Sequence, residues 1–160
     1  MEKLTLKYSE KENKFKYLRN EGFELISQIR FKNLKEINLA RNKIKNVSYL
    51  DNMLLPHLEI LNLSDNYIIN IEPVARILSE NLKEILLNKN VIEEIESFED
   101  SNFPELEALH VDNNKINFRT KKFKEILKKY GNKLIYEAMN FDEFNKVYTC
   151  DIKEESTKLN

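Results

Sequence analysis

Cysteine is almost absent: Cys150 stands alone in 160 residues, so the chain cannot staple itself with a disulfide. The expectation is a protein held by packing in a reducing, intracellular compartment. Glycine and proline are nearly as scarce, at two and three residues, which leaves little room for a flexible linker. With the length, this predicts a single domain. No charge sign dominates, since 26 basic and 27 acidic residues leave a formal net charge of −1. The global positive field of an autonomous nucleic-acid binder is therefore missing. No run approaches the roughly 20 apolar residues that cross a bilayer. The opening MEKLTLKYSEKENK lacks the apolar centre of a signal peptide, so no membrane association is expected. For the same reason the sequons at Asn46-Val47-Ser48 and Asn62-Leu63-Ser64 carry no weight.

What is present is a repeat. LKEINLARNKI from Leu34, LEILNLSDNYI from Leu58, LKEILLNKNVI from Leu82 and LEALHVDNNKI from Leu106 share the pattern L-x-x-[LI]-x-[LV]-x-x-N-x-I at a spacing of 24 residues. Positions one, four and six alternate as a short strand requires, placing Leu34, Ile37 and Leu39 inward, with their equivalents in each later repeat. Asn42, Asn66, Asn90 and Asn114 follow three residues after each strand. There an amide that both donates and accepts can satisfy the turn backbone of its neighbours, which predicts an asparagine ladder. A second inward set follows as Ile44 with Val47, Ile68 with Ile71, and Ile92 with Ile95, fading to Ile116 with Phe118. Pro56, Pro73 and Pro104 fall in the intervening segments, where a missing donor does no harm.

This pattern resembles the leucine-rich repeat. The resemblance implies an α/β fold, a curved solenoid with short parallel strands on the concave face and helical turns on the convex face. Helical caps are expected at both ends, giving one domain over 1–148: an N-terminal cap at 1–33, four repeats at 34–118, a C-terminal cap at 119–148, then a polar tail at 149–160. At the start, Met1, Leu4, Leu6 and Ser9 fit a degenerate repeat lying 33 residues before Leu34. The surplus predicts a helix within 21–30 that turns Phe23, Ile26 and Ile29 inward. At the far end Phe123, Ile126, Leu127 and Tyr130 fall on one helical face ending at Gly131. Residues Leu134 to Tyr136 are expected to add a strand. Asn140-Phe141-Asp142-Glu143 resembles a capping box leading to Phe144, Val147 and Tyr148.

Among intracellular repeat proteins, the ends are most similar to the leucine-rich repeat domain of the Tap family of nuclear mRNA export receptors. The matching stretches are EKLTLKYS, FELISQIRFKNLKEINLARNKI, LEILNLSDN and KFKEILKKYGNKLIYE. The U2 small nuclear ribonucleoprotein A-prime protein and the acidic nuclear phosphoproteins share the ladder and form the second choice. In place of the export family's closing Phe-Pro and Leu-Asp-Gly, this chain has Tyr130-Gly131 and Tyr136-Glu137-Ala138. The resemblance implies a nuclear or nucleocytoplasmic protein-binding module with auxiliary RNA contact. The alternative is a splicing or phosphatase-type scaffold that binds only protein.

Catalysis needs a nucleophile, base or metal set converging in one pocket, and no such set is legible. Cys150 is far in sequence from His57 and His110, and zinc spacings, glycine-rich phosphate loops and HExxH are missing. EEIESFED, from Glu93 to Asp100, lacks calcium-loop spacing and reads as a solvated convex face. The expectation is a non-enzyme with no cofactor, metal or small-molecule substrate. The candidate protein-binding residues lie at outward strand positions: Glu36, Ile60 and Glu84, with Ala108 beside them; Asn38, Asn62, Leu86 and His110; and Arg41, Asp65 and Lys89, with Asn113 completing the last column. Mixed charge around Ile60 and Leu86 resembles a protein interface. A basic face of Lys121, Lys122, Lys124, Lys128 and Lys129 on the last helix is the candidate RNA contact.

Overall fold

The computed structural model describes residues 2–6 and 17–136. The leucine alternation produces the expected strands: β2 at Glu36–Asn38, β3 at Ile60–Asn62, β4 at Glu84–Leu86 and β5 at Ala108–His110. Each buries only its central residue, because successive side chains of a strand point to opposite faces. β1 at Lys3–Thr5 and β6 at Leu134–Ile135 extend the array. The six strands form one parallel sheet in sequence order, with Lys3 opposite Glu36, so the first offset is 33 residues as the degenerate repeat predicts. The next three offsets are 24, with Glu36 opposite Ile60, Ile60 opposite Glu84 and Glu84 opposite Ala108, and the last is 25, with Leu109 opposite Leu134.

Behind the sheet, Leu34, Ile37 and Leu39 and their equivalents in the later repeats are buried together with Ile44, Val47, Ile68, Ile71, Ile92 and Ile95 in one continuous core. Burying each such side chain stabilises by about 1.5–3 kcal/mol. The return segments are brief: 3-10 turns at Ser48–Asn52 and Glu96–Phe98, and a one-turn helix α2 at Glu72–Ala75 with Pro73 in its first turn. Return turns need more room than the ~4.8 Å between paired strands, so stacked repeats curve toward the sheet, as a leucine-rich solenoid does.

The ladder is built as expected. Asn66 Oδ1 accepts the backbone N–H groups of Asn42 and Ile44, both at 3.0 Å, while its Nδ2 donates to the carbonyls of Leu39 at 3.0 Å and Leu63 at 2.9 Å. Asn90 repeats this on Ile68 N–H and the Leu63 and Leu87 carbonyls, and Asn114 on Ile92 N–H and the Leu87 and Val111 carbonyls. Asn42 closes the series by accepting from Leu18 N–H. The residue before each ladder asparagine is in the left-handed region: Arg41 at φ 62°, Asp65 at 55°, Lys89 at 56° and Asn113 at 55°. Only asparagine and aspartate suit that region among these four.

Both ends carry helices. α1 spans Arg19–Ser27 and buries Phe23 and Ser27, with Ile26 half-buried. Ile29 is not inward as expected but 53% exposed. It lies two residues past the helix end, where the three-residue spacing from Ile26 no longer selects a face. Leu6, also expected inward, is 39% exposed; β1 has a neighbour on only one edge, so its end is not covered from both sides. α3 at Lys121–Tyr130 buries Phe123, Ile126, Leu127 and Tyr130, as its spacing predicts. Thr120 Oγ1 caps it by accepting Phe123 N–H at 3.0 Å, and Gly131 ends it at φ 54°, ψ −128°, a conformation that requires glycine. Met1, Ser9, Cys150, the capping box at 140–143 and Phe144, Val147 and Tyr148 lie outside the described residues.

Candidate functional site

The parallel register turns sequence positions into columns. One column runs Lys3, Glu36, Ile60, Glu84, Ala108, and the other runs Thr5, Asn38, Asn62, Leu86, His110, Ile135. Neighbours within a column stand about 4.8 Å apart, the spacing of paired strands. The candidate residues Glu36, Asn38, Ile60, Asn62, Glu84, Leu86 and His110 therefore share one face, and all are half-buried. Lys3, Thr5 and Ile135 belong to the same face and were missed from the sequence. The apolar alternation around Leu4 and Leu134 was the signal that would have extended the columns to them.

Most charges on this face are already matched. Lys3 Nζ pairs with Glu36 at 2.7 Å and Arg41 Nε with Asp65 at 3.1 Å; the His110 imidazole, 3.4 Å from Glu84, is a polar neighbour rather than a matching charge. Along the rim, Glu59 takes Lys35 at 3.1 Å and Lys83 at 3.3 Å. Hydrogen bonding from Lys35, then from Lys83, holds the Glu59 carboxyl below the ordinary carboxylate range, and Glu59 raises Lys35 in return. These groups are solvated, so the pairs contribute little stability. Lys89 is exposed and has no ion partner among the described residues. What remains at the centre is Ile60 and Leu86, apolar and uncharged.

The basic face of α3 is only partly as expected. Lys121, Lys122, Lys124 and Lys128 are exposed. Lys129 is not available to an outside phosphate: its Nζ donates to the carbonyls of Phe98 at 3.0 Å, Glu99 at 2.6 Å and Ser101 at 2.6 Å. The three carbonyls lie at and just beyond the end of the 3-10 turn at Glu96–Phe98, and an ammonium with three donors can serve all of them. Tyr130 reinforces the lock by donating to the Phe98 carbonyl at 3.1 Å, with Ser101 Oγ 2.5 Å from its hydroxyl.

Elsewhere the surface offers less. His57 is exposed, and no group of three metal-ligating side chains occurs among the described residues. Recesses of about 320 and 350 Å³ lie off the sheet, both lined by Glu93, Glu94 and Glu96. Within the acidic run Ile95 and Phe98 enter the core, and the buried Glu96 Oε2 has no hydrogen-bond partner among the described residues. No helix among the described residues is long and apolar enough to cross a membrane.

A family model described as "Leucine Rich repeats (2 copies)" matches residues 32–76, and another described as "Leucine rich repeat" matches residues 56–116. No curated protein matches the sequence. Among solved structures, an internalin of Listeria monocytogenes is 19% identical with a TM-score of 0.45, covering 64% of this chain and 34% of its own. A leucine-rich repeat protein of Leptospira interrogans is 22% identical with a TM-score of 0.45, covering 72% of this chain and 33% of its own. An internalin C2 of Listeria monocytogenes is 18% identical with a TM-score of 0.39, covering 84% and 79%. The chain thus spans about a third of the length of the first two.

Proposed function

The chain is a leucine-rich repeat protein, and from that premise we propose that it is a non-catalytic scaffold whose concave sheet binds a segment of another protein. The observation that carries this reading is the registered pair of columns, which presents Ile60 and Leu86 at the centre of a rigid face with the Lys3–Glu36 and Arg41–Asp65 pairs on it. A charge-depleted centre inside a polar rim is the composition of a protein interface, and central anchors carry most of the affinity in such interfaces. A solenoid suits the task because its strands cannot shift independently, so little conformational entropy is lost on binding.

The finer reading, a nuclear export-type module with auxiliary RNA contact, rests on the resemblance of the ends and on the exposed lysines of α3 that remain once Lys129 is set aside. It adds an RNA-binding helix to the protein-binding sheet rather than replacing it.

The test is capture of the principal partner from native lysate by the full chain. Ile60→Asp together with Leu86→Asp should abolish capture while the far-ultraviolet spectrum and unfolding midpoint stay near those of the unmodified protein. Glu94→Ala, off the sheet, should leave capture intact. Undiminished capture by the double variant places the interface elsewhere.

A further inference from the structure

We infer that the concave face is built to take an internal peptide segment that brings an aspartate or glutamate side chain together with an apolar anchor, an inference that rests on the protein-binding reading above. Asn38 and Asn62 carry the argument. Asn38 Oδ1 accepts Ala40 N–H at 3.2 Å, and Asn62 Oδ1 accepts Ser64 N–H at 3.0 Å and Ser64 Oγ–H at 2.7 Å. With both oxygens engaged by their own turns, each amide is oriented and its Nδ2 is left over. Among the described residues neither Nδ2 has an acceptor.

The two asparagines are register partners on adjacent strands, about 4.8 Å apart. Because both side chains are oriented by the same contact to the residue two places on, their NH2 groups stand side by side on neighbouring strands, within reach of a single bidentate ligand group. A carboxylate suits them best, since its two oxygens accept one hydrogen bond from each amide and the negative charge shortens and strengthens both. Ile60 shares β3 with Asn62, and Leu86 follows Asn62 in the same column, so an apolar side chain beside the carboxylate meets the anchors.

The rest of the face agrees with this polarity. Glu36 and Asp65 already have cations in Lys3 and Arg41, and Glu59 is shared by Lys35 and Lys83, while Glu84 lies beside the His110 imidazole. At the centre of the sheet, around Asn38 and Asn62, the unengaged polar groups are the two amide Nδ2 donors, with the Lys89 ammonium beyond them; the rim carboxylate of Glu107 lies outside that centre. Asn88 Oδ1 is an acceptor without a partner among the described residues, but that atom is buried. A basic or amide-rich segment would bring donors to donors and gain nothing.

The experiment uses the full chain as target in a display of random dodecapeptides, followed by affinity measurements on a synthetic copy of the leading peptide. Enriched sequences should carry aspartate or glutamate within a few positions of leucine, isoleucine or phenylalanine. Changing that acid to its amide should weaken binding about tenfold or more, as expected for loss of charge-assisted hydrogen bonds. Asn38→Asp and Asn62→Asp keep the oxygen that accepts the turn N–H but replace the free donors with a repelling carboxylate, and each should weaken binding by a similar factor. Asn46→Asp, whose Oδ1 accepts Ser48 N–H at 2.9 Å away from the sheet, should not. Failure to enrich acidic peptides, or full affinity in both aspartate variants while Ile60→Asp with Leu86→Asp abolishes binding, overturns the carboxylate inference and leaves the concave interface standing. Enriched peptides indifferent to Ile60 and Leu86 overturn the interface itself.

Discussion

Lys129 Nζ lies 2.6 Å from the Ser101 carbonyl, across 28 residues of chain, and so ties the closing helix to the last convex turn. The same ammonium holds the Phe98 and Glu99 carbonyls. A residue that reads as surface charge in the sequence is therefore part of the C-terminal closure. Lys129→Ala should lower stability by about 1–3 kcal/mol, because carbonyls lose a charged donor. Lys128→Ala, one residue earlier and solvent-facing, should change it by less than about 0.5 kcal/mol. Urea unfolding of the two variants decides, and equal midpoints would contradict the lock.

RNA contact is tested on the lysines that remain free of that lock. Reversing Lys121, Lys122 and Lys128 to glutamate should remove weak, sequence-independent binding to single-stranded RNA. In the unmodified chain the logarithm of affinity should fall by about 0.7 per phosphate contact for each tenfold rise in salt. No binding at low salt, or binding unchanged by the reversal, leaves α3 as a cap alone.

The ladder makes a sharper stability prediction. Asn66→Ala strands the N–H groups of Asn42 and Ile44, each at a cost of about 1–3 kcal/mol. Asn70→Ala removes one exposed bond to Glu72 N–H, and about 0.5 kcal/mol or less is expected. If thermal or denaturant midpoints fall equally for both, the ladder is not what holds successive turns together.

Left-handed backbone at Lys89, φ 56°, distinguishes substitutions that composition cannot. Lys89→Val should destabilise by about 1–2 kcal/mol, since a β-branched residue is poorly tolerated there, whereas Lys89→Asn should be neutral or slightly stabilising. Denaturant midpoints in the opposite order would remove the backbone argument.

Burial raises the Tyr130 hydroxyl above its ordinary value of 10.0, with the Ser101 hydrogen bond pulling slightly the other way. The unfolded chain then loses this proton first as pH rises, so the contribution is intact below about pH 10 and is lost above it. Tyr130→Phe should be less stable at pH 7 by about 1 kcal/mol, with a shallower loss of stability above pH 10 than the parent. Parallel pH profiles of the two unfolding midpoints would refute the assignment.

Much of this protein follows from local pattern. Strand positions, the ladder at Asn42, Asn66, Asn90 and Asn114, and the apolar face of α3 all recur at fixed spacing. Such periodicities determine which side chains share a face before any distant contact forms. The same alternation placed Ile60, Leu86, Asn38 and Asn62 on the concave sheet. Tertiary structure decided the rest. Whether Lys129 is solvated or spent depends on carbonyls 28 to 31 residues away, and no local pattern records which chain turn ends beside it. Ile29 misses the core because α1 stops at Ser27, and the left-handed turns at Arg41 and Lys89 carry residues that do not announce them. The orientation of the Asn38 and Asn62 amides likewise depends on how the chain turns after each strand. A repeated sequence dictates the frame, but which donors and acceptors stay free is settled only when neighbouring turns have taken theirs.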